Sequence, residues 1–174
     1  SRFQAVYPDR MIDVGIAEEH AVTMCAGMAA GGMRPYFAVY ASFFQRSYDQ
    51  MIHDVGMQKL PVCFLLDRAG LVGEDGATHH GVFDLASMLP IPNMTVLAPR
   101  DLQELGLMVR WTEHMDGPCA IRYGKHSVDM RETYPCREFT PGKWELMEDG
   151  PDAALLAVGS MVESALEMRE LLAK

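Results

Sequence analysis

Val62-Cys63-Phe64-Leu65-Leu66-Asp67, running into Arg68-Ala69-Gly70-Leu71-Val72-Gly73-Glu74-Asp75-Gly76-Ala77-Thr78-His79-His80-Gly81, is the stretch whose reading settles the fold. The first six residues form an apolar run of strand length, and the next fourteen carry four glycines and read as a loop. A structureless loop this long is uncommon inside a compact domain, because ordering it costs backbone entropy without burying a core. Such loops are usually functional.

Outward from that stretch, short apolar runs alternate with longer segments of helical period. Upstream, residues 11–14 read as a strand and 17–31 as a helix with Val22, Ala26, Ala29 and Ala30 on one face, ended by Gly31-Gly32. Residues 36–40 read as a second strand and 43–58 as a helix. Ser42 is its expected N-cap, Gln45 completes a capping box, and Phe44, Tyr48, Met51, Ile52 and Val55 make its apolar stripe. Downstream come a short helix over 83–89 and a strand over 95–98. A helix opened by Asp101 and Glu104, with Leu102, Leu105, Met108, Val109 and Thr112 as its stripe, leads to a closing strand over 119–123. This alternation predicts an α/β fold, doubly wound around a mainly parallel sheet, over residues 1–135.

Pro135, Pro141, Gly142, Gly150 and Pro151 punctuate an expected linker, 136–152. Residues 153–158 then read as a buried strand, and Ser160 with Glu163 as the cap of a helix bearing Val162, Ala165, Leu166 and Leu172. A lone βα unit cannot cover its own apolar faces, so 153–174 is expected to open a truncated second α/β domain. Ser1 in place of a methionine points the same way.

Of the 174 residues 49% are hydrophobic, and the formal charge is -9 with both signs interspersed. Without a basic run there is no electrostatic footprint for nucleic acid or for an anionic membrane. No apolar stretch approaches the roughly 18 residues of a membrane span, and no leader pattern opens the chain, so the expected location is the cytoplasm. Cys25, Cys63, Cys119 and Cys136 are widely spaced, which suits buried free thiols better than a zinc site or a disulfide framework.

In open parallel sheets ligands bind beyond the carboxyl ends of the strands, and here those positions are polar or aromatic. Glu18 stands in the first turn of an apolar helix. The helix dipole alone accounts for an acidic residue there, but Val14, Ile16 and the Ala/Met face beside it could exclude water and suit its carboxyl to proton exchange. Phe43 falls off the helix stripe, free either to stack on a flat ligand or simply to pack. Tyr40 and Arg46 read as surface groups. The glycine-rich loop holds Arg68, Asp75, His79 and His80 with no ligand spacing for a metal, so a histidine acting on substrate protons is the better reading. Arg122 ends the last strand of the sheet; a salt bridge is the default for a lone Arg, and a phosphate clamp the alternative.

The runs Asp13-Val14-Gly15-Ile16-Ala17-Glu18-Glu19-His20, Tyr40-Ala41-Ser42-Phe43-Phe44-Gln45-Arg46-Ser47-Tyr48-Asp49-Gln50, His53-Asp54-Val55, Asp67-Arg68-Ala69-Gly70-Leu71-Val72-Gly73 and Asp75-Gly76-Ala77-Thr78-His79 occur in order. Through them the chain resembles the 1-deoxy-D-xylulose-5-phosphate synthase family, thiamin-diphosphate enzymes of the transketolase group, strongly over about residues 7–123. The resemblance implies that pyruvate is decarboxylated and its two-carbon remainder joined to glyceraldehyde 3-phosphate, for isoprenoid, thiamin and pyridoxal synthesis. It further implies that Glu18 bonds the cofactor's aminopyrimidine and drives it to the imino tautomer, which removes the thiazolium C2 proton. Phe43 would stack on the pyrimidine, with Tyr40 and Arg46 lining the site. Asp75 and His79 would assist proton transfer, and Arg68, Arg122 and Tyr40 would hold the substrate phosphate.

Two departures stand out: Glu19 where the family usually has Gln, and Gly124-Lys125-His126 after Arg122-Tyr123 where it usually has Pro-Arg-Gly. No Gly-Asp-Gly segment with a downstream Asn is present, so the resemblance places Mg2+ and diphosphate binding on an N-terminal domain of the same protein, in a homodimer, and implies that this chain alone is inactive. Transketolase proper, or a 2-oxoacid dehydrogenase β subunit, shares the glutamate and the fold; a catalytically silent dimerisation subunit is the reading from another class.

Overall fold

In the computed structural model, which describes residues 2–125, 130, 134–136 and 138–173, β1 (Tyr36–Tyr40), β2 (Cys63–Asp67), β3 (Thr95–Leu97) and β4 (Cys119–Arg122) form one parallel sheet. Its strand order is β1-β2-β4-β3. The register sets Tyr40 beside Asp67 and Leu66 beside Arg122, so the carboxyl ends of three strands lie together along one edge.

Alternation within each strand builds a core on both faces. Phe64, Leu66 and Ala120 point into a layer shared with Val22 and Ala26 of α2 (Glu18–Ala30) and with Phe44, Met51 and Val55. Cys63, Cys119 and Ile121 point the other way, onto Met108 of α5 (Leu102–Thr112) and Met115. Each fully buried side chain of this kind, Phe44, Phe64, Met51 or Leu66, contributes about 1.5–3 kcal/mol of transfer free energy. The four cysteines are free, three of them buried, and burial pushes the Cys25 thiol up to about 11.

Several expected elements take a different form. Residues 11–14 are not a strand: Met11 and Ile12 are exposed, so the run lacks a buried face, and Asp13 Oδ1 accepts from the Gly15 amide at 2.9 Å in a local turn. The expected helix over 43–58 is composite. A 3-10 turn (Phe44–Ser47) leads through α3 (Tyr48–Gln50) into a π-helical turn (Met51–Gly56), which buries Met51 and Val55 but leaves Tyr48 exposed. Ser42 caps nothing; its buried hydroxyl has no partner. Asp101 does cap α5, accepting from the Glu104 amide at 2.8 Å, although Leu102 of the expected stripe is exposed.

The expected strand over 153–158 does not form. With no neighbouring strand to pair with, Leu155, Leu156 and Val158 are exposed. α6 (Met161–Leu172) follows, without a side-chain bond from Ser160 and without a buried residue. What holds this region is buried Arg100, just past β3. It bonds Glu145 Oε2 at 2.6 Å, Met147 Sδ at 2.9 Å and the Tyr134 carbonyl at 3.2 Å. Tyr134 in turn donates to Glu148, which meets Arg169 of α6. Among the described residues no helix is long and apolar enough to cross a membrane.

Candidate active site

The polar groups expected from the sequence converge at the carboxyl edge of the sheet. α1 (Arg2–Val6) and the exposed residues up to Ile12 lead to Gly15, whose φ of +63° turns the chain into α2. Glu18 is the first residue of that helix and only 8% exposed. Val14 packs against the core, but Ile16 is 88% exposed and does not shield the carboxyl as expected. The shielding comes from the body of the domain. Arg46 Nη1 donates to Glu18 Oε1 at 3.0 Å, and Oε2 is buried without a partner. A buried carboxylate oxygen left unpaired is expensive, which marks this one as waiting for a donor.

Beside it lies an aromatic platform. Tyr40, at the end of β1, stacks on Phe43 with centroids 5.7 Å apart, and His79 sets its ring edgewise at 5.4 Å from Phe43 and 6.4 Å from Tyr40. The Arg46 guanidinium stands 5.3 Å from the Phe43 centroid and that of Arg68 4.0 Å from Tyr40, both as cation–π contacts. Phe44, next in sequence, is fully buried, whereas Phe43 is only partly buried.

The loop that delivers His79 is fastened at its base. Gly70 and Gly81 exchange both backbone bonds at 2.9 Å, and a Cβ at Gly81 would come within 2.6 Å of Ala41 Cβ and of the Arg68 carbonyl oxygen, so only glycine fits. Inside the loop Val72 donates to His80 Nδ1 at 3.0 Å, giving His80 a structural role, while His79 Nδ1 lies 3.0 Å from the Thr78 hydroxyl and its ring faces Phe43 and Tyr40. Arg68 sits at a φ of +60°, rare for a side chain of its size and typical of strain kept at functional positions. Its Nε and Nη1 donate to Asp75 and Asp67, each at 2.7 Å. Asp75 also accepts from Lys125 Nζ at 2.7 Å, and these two cations, Lys125 foremost, hold its carboxyl below the usual range.

One expected residue stands apart. Arg122 Nε donates at 2.7 Å to Asp84, itself 1% exposed, at the start of α4 (Asp84–Met88), so in this structure it faces a carboxylate and not the Asp75 cluster. The salt-bridge alternative is the one the structure takes. Lys125, not Arg122, joins Arg68 on the Asp75 carboxylate. Its only signal in the sequence was its departure from the Pro-Arg-Gly pattern; Asp84 had none, since an acidic residue opening a short helix is ordinary. His126 lies outside the described residues.

The unpaired Glu18 oxygen and the Phe43 ring, both next to Arg46, together fit a flat heterocycle with a polar edge. No group of three or more His, Cys, Asp or Glu that could hold a metal occurs among the described residues. A parallel sheet with a buried helix-terminal glutamate beside an aromatic platform defines a pyrimidine-binding domain of the transketolase type. The chain belongs to that family: the model described as "Transketolase, pyrimidine binding domain" matches residues 1–130. Within it, the chain is 51% identical over 173 residues to the 1-deoxy-D-xylulose-5-phosphate synthase of Clostridium acetobutylicum and 54% identical over 175 residues to 1-deoxy-D-xylulose-5-phosphate synthase 1 of Geobacter metallireducens. Those alignments take in 99% and 98% of this chain but 28% of each relative's length. Among solved structures, a chain titled "Split gene transketolase, inactive beta4 tetramer" superposes with a TM-score of 0.88 at 31% identity, over 99% of this chain and 56% of that one.

Proposed function

We infer that this chain is the aminopyrimidine-binding part of a thiamin-diphosphate-dependent transferase that decarboxylates pyruvate and joins the two-carbon unit to glyceraldehyde 3-phosphate, giving 1-deoxy-D-xylulose 5-phosphate. The observation that carries this is the half-paired Glu18 carboxylate beside Phe43, in a chain about half identical to synthases of that name. Thiamin diphosphate, when bound, supplies the carbon nucleophile that adds to the ketone of pyruvate. Glu18 Oε2 shares a proton with the pyrimidine ring nitrogen, while Arg46 fixes the other oxygen. Phe43 is the stacking surface. His79, edgewise over the same ring, exchanges protons with the aldehyde acceptor. Asp75, held ionised by Lys125 and Arg68, orients rather than donates. Arg68 and Lys125 together meet the acceptor phosphate, Lys125 taking the place expected of Arg122.

The same reading places Mg2+ and the diphosphate on an N-terminal domain of the same protein, in a cytoplasmic homodimer. It keeps 136–152 as a linker, 153–174 as the start of a second α/β domain, and this chain by itself as inactive. The test supplies the whole enzyme with thiamin diphosphate and Mg2+. One tube holds pyruvate with glyceraldehyde 3-phosphate, the other the sugar-phosphate donors of transketolase. Carbon dioxide and deoxyxylulose phosphate in the first alone are expected. Ketol transfer in the second would make it a transketolase, and silence in both a non-catalytic subunit.

A further inference from the structure

We propose that Asp84 and Arg122 are a positioning pair, acting through the return limb of the glycine-rich loop to keep His79 against Phe43 and Tyr40. The loop leaves β2 at Arg68 and is pinched where Gly70 and Gly81 bond each other, two residues past His79. After the pinch only Val82 and Phe83 intervene before Asp84, and they are 50% and 61% exposed, so packing holds them weakly. The next fixed point is the Asp84 carboxylate. Its Oδ2 accepts from Arg122 Nε at 2.7 Å, and its Oδ1 accepts from the Leu85 amide at 2.8 Å and lies 3.5 Å from a second Arg122 nitrogen.

Arg122 is a firm anchor because β4 lies between β2 and β3 and is hydrogen-bonded on both sides. Charge-assisted bonds to a carboxylate with 1% exposure are directional and little screened by solvent. α4 also packs on the 3-10 turn (Phe44–Ser47) that includes Arg46, the residue bonded to Glu18. The limb between two fastenings, Gly81 at the pinch and Asp84 at the sheet, has little slack. Releasing the second lets the loop tilt about the first. Displacing a catalytic group by about 1 Å is enough to slow a reaction on the order of 100-fold.

This rests on the proposed function for the meaning of His79 but not for the pair itself, and the experiment separates the two. Asp84→Asn, Arg122→Met and the double variant are made in the whole enzyme. Each is assayed for kcat and KM with glyceraldehyde 3-phosphate and with unphosphorylated glyceraldehyde, for thermal midpoint, and for amide exchange over residues 70–81. The expected result is a kcat loss of about 10- to 100-fold, equal for both aldehydes, with faster exchange in the loop. The double variant buries no lone charge, so its midpoint returns toward wild type while kcat stays low and the loop stays fast. A stably folded double variant with wild-type exchange and kcat overturns the proposal. So does a KM rise confined to the phosphorylated aldehyde in Arg122→Met, which would make Arg122 a phosphate ligand. A parent that turns over neither aldehyde removes the functional reading, and the exchange measurement then judges the pair alone.

Discussion

Arg46 takes one oxygen of Glu18 at 3.0 Å and leaves the other buried and unpaired. A carboxylate held this way is oriented by one bond and available through the second. Replacing it with the isosteric amide keeps the bulk and loses the proton-accepting oxygen. Glu18→Gln in the whole enzyme is therefore expected to reduce turnover by about 100- to 10,000-fold with an unchanged or higher thermal midpoint, read by product formation and calorimetry. Turnover within a few-fold of wild type would remove Glu18 from the mechanism.

Arg46 itself is about half exposed, so its own loss matters less than what it leaves behind, an almost fully buried carboxylate with no partner. Arg46→Ala is expected to destabilise the fold by about 1–2 kcal/mol, measured by urea unfolding. The double change Glu18→Gln with Arg46→Ala should cost less than the single one, because no buried charge remains.

The Asp75 network sets an acid limit. Its carboxyl is depressed first by Lys125 and then by Arg68, so its stabilising effect is complete above the ordinary carboxylate value and is lost as pH falls through the lower, folded one. The difference in unfolding stability between wild type and Asp75→Asn is thus expected to be flat above about pH 4 and to shrink below it. A difference that instead grows on acidification would contradict the pairing.

Lys125 and Arg122 should behave oppositely toward substrate. Lys125→Met is expected to raise KM for the phosphorylated aldehyde at least about tenfold and leave the unphosphorylated one unaffected, with Lys125→Arg recovering most of the loss. Steady-state kinetics at two ionic strengths checks it, since a lost phosphate contact also flattens the salt dependence. Equal effects on both aldehydes would assign Lys125 to loop structure alone.

Gly81 has no room for a methyl group: a Cβ would meet both Ala41 and the Arg68 carbonyl at 2.6 Å. Gly81→Ala is expected to cost about 1–3 kcal/mol and to reduce activity with it, as the loop base is forced off β1. Calorimetry with an activity assay reads both.

Much of the framework was legible in order along the chain. The run 62–67 and the glycine-rich loop behind it carried the strand and the carboxyl-edge site, because an apolar run and a cluster of glycines are local signals of backbone conformation. Glu18 and Phe43 could be singled out for the same reason, each lying next to a strand end or a helix start, whereas the roles expected of Tyr40, Arg46, Arg68, Asp75 and His79 came from the family resemblance. Where local pattern misled, a missing neighbour or a competing local bond was the cause: residues 153–158 have no strand to pair with, and Asp13 turns the chain before 11–14 can extend.

By itself the sequence determined the α/β alternation, the loop and the kinds of groups that gather at its edge, since these depend on contacts within a few residues. Only the tertiary structure decided which charges meet. Asp84 and Arg122 are 38 positions apart, as are few obvious partners, and Lys125 reaches Asp75 across 50. Ion pairing depends on distances of a few ångströms between side-chain tips, and parallel crossover connections bring together tips that no spacing along the chain can announce.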